Sequence, residues 1–180
     1  MSWSQVARRI RVPLGFVLAA LYLWLARPRW WSIAVGAAIA LCGVALRAVA
    51  SGHISKNAEL TTTGPYAYTR NPLYLGSVII AVGFAVAARS WWVVLVMATL
   101  FVAIYVPVIQ SEEAYLRGRF PEFERYAERV PRLMPTLGSA GGATGAFSRE
   151  RYLRHREYNA LLGTAAMIAA LAAKLLWGSR

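Results

Sequence analysis

The chain has 180 residues, of which 58% are hydrophobic, and its 20 Lys and Arg against 8 Asp and Glu give a net charge of +12. A mean hydropathy of +0.44 is too apolar for an ordinary soluble domain, so the membrane class is predicted first. The basic residues lie mostly at the ends of apolar runs, as topology signals and anionic-lipid contacts do, and nucleic acid is not a predicted partner.

Apolar runs predict an all-α integral membrane protein with about five transmembrane helices. The runs are 12–26, 30–50, 72–88, 91–110 and 159–177. Short links at 27–29 and 89–90 join the first four runs into two antiparallel hairpins. Glycines recur seven residues apart in the second and third runs, at Gly36, Gly43, Gly76 and Gly83, which predicts close packing of these two helices.

The distribution of Lys and Arg predicts the orientation of the helices. Fifteen of the 20 fall on the side that holds the N-terminus, the 51–71 loop and the 111–158 segment. Because an excess of Lys and Arg marks the cytoplasmic side, these segments are predicted to be cytoplasmic and the C-terminus to lie outside. Lys174 lies close enough to the end of its run to extend toward the headgroups.

Composition divides the chain into three parts. Residues 1–135 are predicted to form a membrane core of four spans and a cytoplasmic helix, 136–148 a flexible linker, and 149–180 a basic amphipathic segment with the fifth span.

After the fourth span, Leu116, Phe120 and Phe123 lie three or four residues apart. This spacing predicts an amphipathic helix whose apolar face rests on the membrane surface.

The first candidate site is the polar, aromatic stretch from Thr61 to Gly76, which reads T-T-T-G-P-Y-A-Y-T-R-N-P-L-Y-L-G. Gly64-Pro65 predicts a turn, and Asn71 is predicted to cap a helix that begins with Pro72. The positive end of this helix would favour an anionic group. The alternative is an ordinary loop at the membrane–water interface, where its aromatic residues lie at headgroup level and its one Arg reaches the headgroups.

The second candidate site is the pair Glu112-Glu113, directly after the fourth run. Ionisable groups at the edge of a span are functional candidates because placing them there costs free energy. Neighbours on a helix point about 100° apart, so at most one of the two faces inward; alternatively, both are solvated and begin a surface helix. We expect the Glu pair and the Asn71-Pro72 helix start to meet in one cytoplasmic pocket. The spacing of His53 and His155 predicts no metal site.

Three motifs in this order resemble the isoprenylcysteine carboxyl methyltransferase family and the related phospholipid N-methyltransferases. They are G-P-Y-x-Y-x-R-N-P-x-Y-x-G, then E-E-x-x-L-x-x-x-F after a membrane hairpin, and then V-P-R-x-x-P; together they cover 52–135. The resemblance implies S-adenosylmethionine as the methyl donor and S-adenosylhomocysteine as the product. It also implies a lipophilic small-molecule or lipid acceptor that arrives from the membrane.

The resemblance implies roles for individual residues as well. The cofactor contacts of the family fall on Leu60, Thr61, Tyr66, Asn71, Pro72, Leu73, Tyr74 and Glu112. A helix N-terminus suits the methionine carboxylate, and a glutamate suits the amino group. If the acceptor is an amine, Glu112 or Glu113 would take its proton, so these two are the predicted catalytic residues.

Two positions depart from the family pattern. Asn71 stands where the family usually has His, and Val108 stands where the isoprenylcysteine enzymes carry an Arg for the substrate carboxylate. The predicted activity is methyl transfer from S-adenosylmethionine to a small lipophilic acceptor, either isoprenylcysteine-carboxylate-like or a lipid amine. The alternatives are an NADPH-dependent sterol-type reductase, which shares an R-x-P-x-Y-x-G element, and a non-catalytic scaffold whose basic segment 149–156 binds anionic membrane lipid.

Overall fold

A computed structural model describes residues 17–54, 59–136, 138 and 145–178, and within these ranges all regular structure is helical. Residues 17–25 form α1. The remaining helices are α2 (Trp30–His53), α3 (Pro72–Ala88), α4 (Trp91–Leu100), α5 (Val106–Arg119), α6 (Phe123–Arg129), α7 (Arg149–Arg154) and α8 (Tyr158–Gly178). A 3-10 turn at Gly64–Ala67 precedes α3, and a π turn at Phe101–Tyr105 joins α4 to α5.

Three helical segments of the described chain are long and apolar enough to cross a membrane: Trp30–His53, Trp91–Arg119 and Tyr158–Gly178. Pro72–Ala88 is apolar but shorter, with 17 residues. The first predicted run is described only from residue 17 onward. The all-helical class is therefore confirmed, as are the predicted bounds of the third run, whereas the number of five spans and their orientation stay predictions. The predicted linker at 136–148 lies mostly outside the described residues.

The antiparallel helices α2 and α3 make the most extensive helix–helix contact of the described chain. A Cβ added to Gly43 would lie 2.6 Å from the carbonyl oxygen of Gly76, and Gly36 meets Gly83 in the same way. The absence of side chains at these four positions lets the two backbones touch. The predicted glycine packing is confirmed.

The helix α8 runs along α2 and is attached near both of its own ends. Near its C-terminal end, Leu171 is fully buried against Ala26 and Ala88. Lys174 Nζ contacts three carbonyl oxygens at the end of α1, including that of Ala26 at 2.7 Å. The terminal carbonyls of a helix lack N–H partners and attract a cation, which explains this contact. The extension of Lys174 toward the headgroups stays a prediction.

The segments α4 and α5 form one helical rod of 29 residues, longer than the predicted run 91–110. Pro107 lies at the start of α5, where it has no N–H to donate and its ring disturbs the preceding turn. A wide turn at Phe101–Tyr105 accommodates this disturbance. Much less of this rod is buried than of α2.

The amphipathic segment after the fourth run is not one helix. The helix α5 ends at Arg119, Phe120 is extended with φ −123° and ψ 109°, and α6 begins at Phe123. Pro121 is the cause, because the residue before a proline is driven out of the helical region. The prediction that these residues form an apolar face on the membrane surface is therefore wrong. Phe123 is buried with Tyr126 and Val130, and Leu116 and Phe120 pack against this cluster.

Candidate active site

A cavity of about 250 Å³ lies where the loop before α3 meets the end of α5 and the start of α6. Its walls combine aromatic and aliphatic side chains with four charged groups. The lining residues are Ile54, Glu59, Leu60, Thr61, Tyr66, Arg70, Asn71, Glu112, Glu113, Tyr115, Leu116, Phe120, Phe123 and Tyr126. The two polar clusters that the sequence singles out therefore meet in one cavity, as predicted.

Glu113 is the centre of a buried polar network and is only 3% exposed. Its Oε2 accepts a hydrogen bond from Nε of Arg132 at 3.0 Å, and its Oε1 accepts one from Nδ2 of Asn71 at 3.2 Å. Nε of Arg70 lies 3.5 Å from Oε1, which is an ion-pair contact rather than a hydrogen bond. A carboxylate removed from water needs such partners. Two guanidinium groups and one amide thus hold it between α3, α5 and the segment after α6.

Asn71 begins α3, but its side chain makes no capping hydrogen bond. Its backbone carbonyl accepts the N–H of Leu75 at 3.0 Å, and Pro72 occupies the first turn as predicted. The side-chain amide instead donates to Glu113 and to the carbonyl oxygen of Arg132 at 2.9 Å. The predicted side-chain cap is wrong, because hydrogen bonds to an ionised acceptor are the stronger ones and the amide turns its donor to the carboxylate.

Glu112 differs from its neighbour although both line the cavity. Its side chain is exposed, and none of the ion pairs found in the described part of the chain involves it. Glu113 is buried one position further along the same helix. Only Glu113 is buried, as the angular offset of neighbours on a helix predicts, but both side chains line the cavity.

Tyr66 brings a buried hydrogen-bond donor to the cavity wall. The residue is 7% exposed, and its hydroxyl has no hydrogen-bond partner among the described residues. Tyr126 fixes the 3-10 turn by donating its hydroxyl to the carbonyl oxygen of Tyr66 at 2.7 Å. Burial raises the pKa of both phenols above the ordinary value, so both stay protonated. A buried hydroxyl without a partner costs free energy, and an acceptor atom of a ligand would satisfy it.

The residues predicted to contact a cofactor fall into two groups. Five of them line the cavity: Leu60, Thr61, Tyr66, Asn71 and Glu112. Pro72, Leu73 and Tyr74 form the first turn of α3 and are not among the lining residues. The ring of Tyr74 packs edge-on against Tyr105 with centroids 5.6 Å apart. Contact between these three residues and a cofactor stays a prediction.

Arg132 and Tyr126 support the site but are missing from the predicted set. Arg132 belongs to the V-P-R-L-M-P motif, whose prolines predict only the end of a helix. A buried carboxylate requires a cation, and that rule points to an arginine partner for Glu113 without saying which one. Tyr126 has no signal of its own, because its hydroxyl contacts a backbone atom 60 residues away.

The start of the C-terminal segment docks beside the loop that carries Tyr66. The two ring nitrogens of His53 each lie 2.9 Å from a carbonyl oxygen, that of Val49 and that of Gly145. Gly64 has φ +58° and lies against the same ring, where a Cβ would be 2.6 Å from Cδ2. His53 therefore joins the end of α2, the 3-10 turn and residue 145. Across the described ranges, no group of three or more His, Cys, Asp or Glu could hold a metal ion.

The fold and the site define a class of membrane protein: apolar helices of membrane length with a polar, aromatic cavity at the ends of two of them. Comparison with protein families makes the class specific. The chain belongs to the phospholipid methyltransferase family, whose model matches residues 10–122. The matched region includes Tyr66, Asn71 and both glutamates, and the resemblance to membrane methyltransferases is confirmed.

Three curated relatives are similar to parts of the chain. The cobalt-zinc-cadmium resistance protein CzcN of Cupriavidus metallidurans is 35% identical over 136 residues, 71% of this chain and 62% of the relative. The nickel-cobalt-cadmium resistance protein NccN of Alcaligenes xylosoxydans xylosoxydans is 40% identical over 82 residues, 46% of this chain and 38% of the relative. The protein-S-isoprenylcysteine O-methyltransferase of Schizosaccharomyces pombe is 32% identical over 84 residues, 46% of this chain and 36% of the relative.

The chain spans less than two thirds of the length of each of these relatives. No solved structure matches it.

Proposed function

We propose that this protein is an S-adenosylmethionine-dependent membrane methyltransferase that acts on a small lipophilic acceptor at the cytoplasmic face. The observation that carries the proposal is the convergence of Tyr66, Asn71 and Glu112 on one cavity. These residues also lie within the region that matches the phospholipid methyltransferase family.

The side chains of the cavity fit the donor. When bound, S-adenosylmethionine supplies a methyl group on a positively charged sulfur. The hydroxyl of Tyr66 is buried and without a partner among the described residues, so it is available to donate to a ligand oxygen. The carboxylate of Glu112 would accept hydrogen bonds from the amino group. Leu116 and Phe120 provide an apolar wall for the adenine.

The two predicted catalytic carboxylates receive different roles in this proposal. Arg132 and Asn71 already donate to the oxygens of Glu113, so we assign Glu113 a positioning role. Glu112 lines the same cavity without an ion-pair partner in the described chain, so we assign it contact with the ligand. With an amine acceptor, Glu112 would also be the group that receives the proton.

The acceptor is proposed to enter from the lipid side of the helices. Methyl transfer from a sulfonium needs mainly in-line positioning and the exclusion of water, which the aromatic walls of the cavity favour. Both a lipid amine and an isoprenylcysteine-like carboxylate remain candidates. Val108 stands where the isoprenylcysteine enzymes carry an Arg, which favours the amine.

Calorimetric titration of the full-length protein in detergent with S-adenosylhomocysteine tests the proposal. We expect binding at sub-millimolar concentration and weaker binding by Glu112→Ala. Glu124→Ala is the matched control, because Glu124 pairs with Arg117 on the surface and does not line the cavity. The absence of binding by the unmodified protein would contradict the donor. Preferential binding of NADPH would favour a reductase.

The same titration of Tyr74→Ala tests the residue whose predicted cofactor contact stands apart from the cavity lining. Weaker binding would support a direct contact made when the ligand is bound. Unchanged binding would limit the role of Tyr74 to its packing against Tyr105.

A further inference from the structure

Arg47 is a cation within the membrane-length helix α2, and every partner of its guanidinium lies on another helix or segment. Nε and Nη2 donate to the two carboxylate oxygens of Glu157 at 3.0 and 2.9 Å. Nη1 donates to the hydroxyl of Ser77 at 2.6 Å and to the carbonyl oxygen of Leu73 at 3.1 Å. The two parallel hydrogen bonds from Arg47 to the carboxylate of Glu157 fix the plane of the guanidinium as well as its position.

The chain makes room for this side chain. A Cβ added to Gly76 would lie 2.6 Å from Cγ of Arg47, so the arginine passes over α3 at a position without a side chain. The side chains of Arg47 and Glu157 are only 22% and 13% exposed. An ionisable residue at such a place is costly unless its partner is close, and it marks a functional position more often than other residues do.

The pair connects two parts of the chain that the sequence separates. Leu73 lies in the first turn of α3, two residues after Asn71, which lines the cavity and donates to Glu113. Glu157 directly precedes α8, beyond the region 10–122 that matches the family. The pKa of the Tyr66 hydroxyl is raised mainly by burial, and Glu157, which raises it, and Arg47, which lowers it, are the smallest contributions.

We infer that Arg47 and Glu157 are a positioning pair through which the C-terminal segment holds the first turn of α3 in the geometry that the cavity requires. Neither side chain lines the cavity, so the pair acts through Leu73 and Asn71 and not by touching a ligand. The inference rests on the proposed function where its effect is measured as ligand affinity. Its effect on the backbone of α3 is measurable without any ligand.

Two readouts on the full-length protein in detergent test the pair. The first is hydrogen exchange of the amides of residues 75–77 in the ligand-free protein, and the second is the affinity for S-adenosylhomocysteine. We expect Glu157→Ala and Arg47→Met each to raise the exchange rate and weaken the affinity by about tenfold, a usual size for coupling between separate sites. Glu157→Asp keeps the carboxylate and should restore part of both.

Lys174→Met is the matched control, because it removes a different polar attachment of the C-terminal segment, at the end of α1. It should lower the melting temperature while leaving both readouts unchanged. Unchanged exchange in Glu157→Ala, or equal changes in Lys174→Met, would overturn the inference. If the unmodified protein binds no S-adenosylhomocysteine, the proposed function fails, and the exchange readout alone decides for or against the positioning pair.

Discussion

Two regions join α3 to its neighbours by opposite means. The glycine seam, formed by Gly36, Gly43, Gly76 and Gly83, brings α2 and α3 together through bare backbone. The carboxylate network, formed by Asn71, Glu113, Arg70 and Arg132, joins α3 to α5 and the segment after α6 through side chains that each need their partner. The seam therefore tolerates no added atoms, whereas the network tolerates no lost ones.

The largest expected effect comes from removing the centre of the network. Glu113→Ala leaves Arg70, whose side chain is only 12% exposed, without its carboxylate, and we expect a loss of about 3 kcal/mol in unfolding free energy. This value is at the low end for a buried pair because the side chain of Arg132 is 52% exposed and keeps water as a partner. Denaturation in detergent measures it, with Glu124→Ala as the surface control. Equal losses in the two variants would contradict the network as an anchor.

The next largest effect comes from the glycine seam. A Gly→Ala substitution should destabilise the protein inside the seam and stabilise it outside. Gly43→Ala places a methyl group against the carbonyl oxygen of Gly76 and should cost about 1–3 kcal/mol. Gly163→Ala, in α8, meets nothing within 4 Å and should stabilise the helix by about 0.5–1 kcal/mol. Unfolding measurements on both variants test the pair of signs, and a stabilised Gly43→Ala would contradict the seam.

A smaller effect separates the two buried phenols beside the network. Tyr126→Phe removes the hydrogen bond to the carbonyl oxygen of Tyr66 and should cost about 1 kcal/mol. Tyr66→Phe removes a hydroxyl with no partner among the described residues, so the stability of the free protein should not fall. Its affinity for S-adenosylhomocysteine should fall instead. A stability loss in Tyr66→Phe would mean that its hydroxyl supports the fold rather than a ligand.

The helices were predictable where local rules decide them. Pro72 begins α3 and the tight link at 89–90 ends it, so the predicted bounds agree with those observed. The seam was readable from glycines seven residues apart. Pro121 indicates the break at Phe120, because the residue before a proline avoids the helical region, whereas the apolar spacing on either side of it fits one continuous helix.

Side-chain partners were less predictable, because they depend on which distant residues the fold brings together. Asn71 has the local sequence of a helix cap, yet a carboxylate 42 residues away takes its amide. Nine arginines lie between Arg117 and Arg156, and their spacing does not distinguish Arg132 as the partner of Glu113. The meeting of the two polar clusters was predictable from the topology, which places both on the same side of the membrane, whereas the anchor within it emerges only from three-dimensional contacts.

A dependence on alkaline pH is a further expected effect of the two buried phenols. Burial raises the pKa of Tyr66 and of Tyr126 in the folded protein, whereas both phenols ionise at about pH 10 in the unfolded chain. The folded protein then binds more protons than the unfolded chain above that pH, so stability present below it is lost as the pH rises. The double variant Tyr66→Phe/Tyr126→Phe should lose less stability between about pH 9 and 11. An identical slope would contradict the assignment.

The π turn at Phe101–Tyr105 has a consequence for the two glutamates that follow it on the same rod. A wide turn adds one residue without adding a turn, so every later side chain is offset by about 100° from the phase of an uninterrupted helix. Glu113 thereby takes the angular position that Glu112 would otherwise hold. One extra residue in mid-rod thus selects which of two identical acids is held by arginines and which lines the cavity without an ion-pair partner among the described residues.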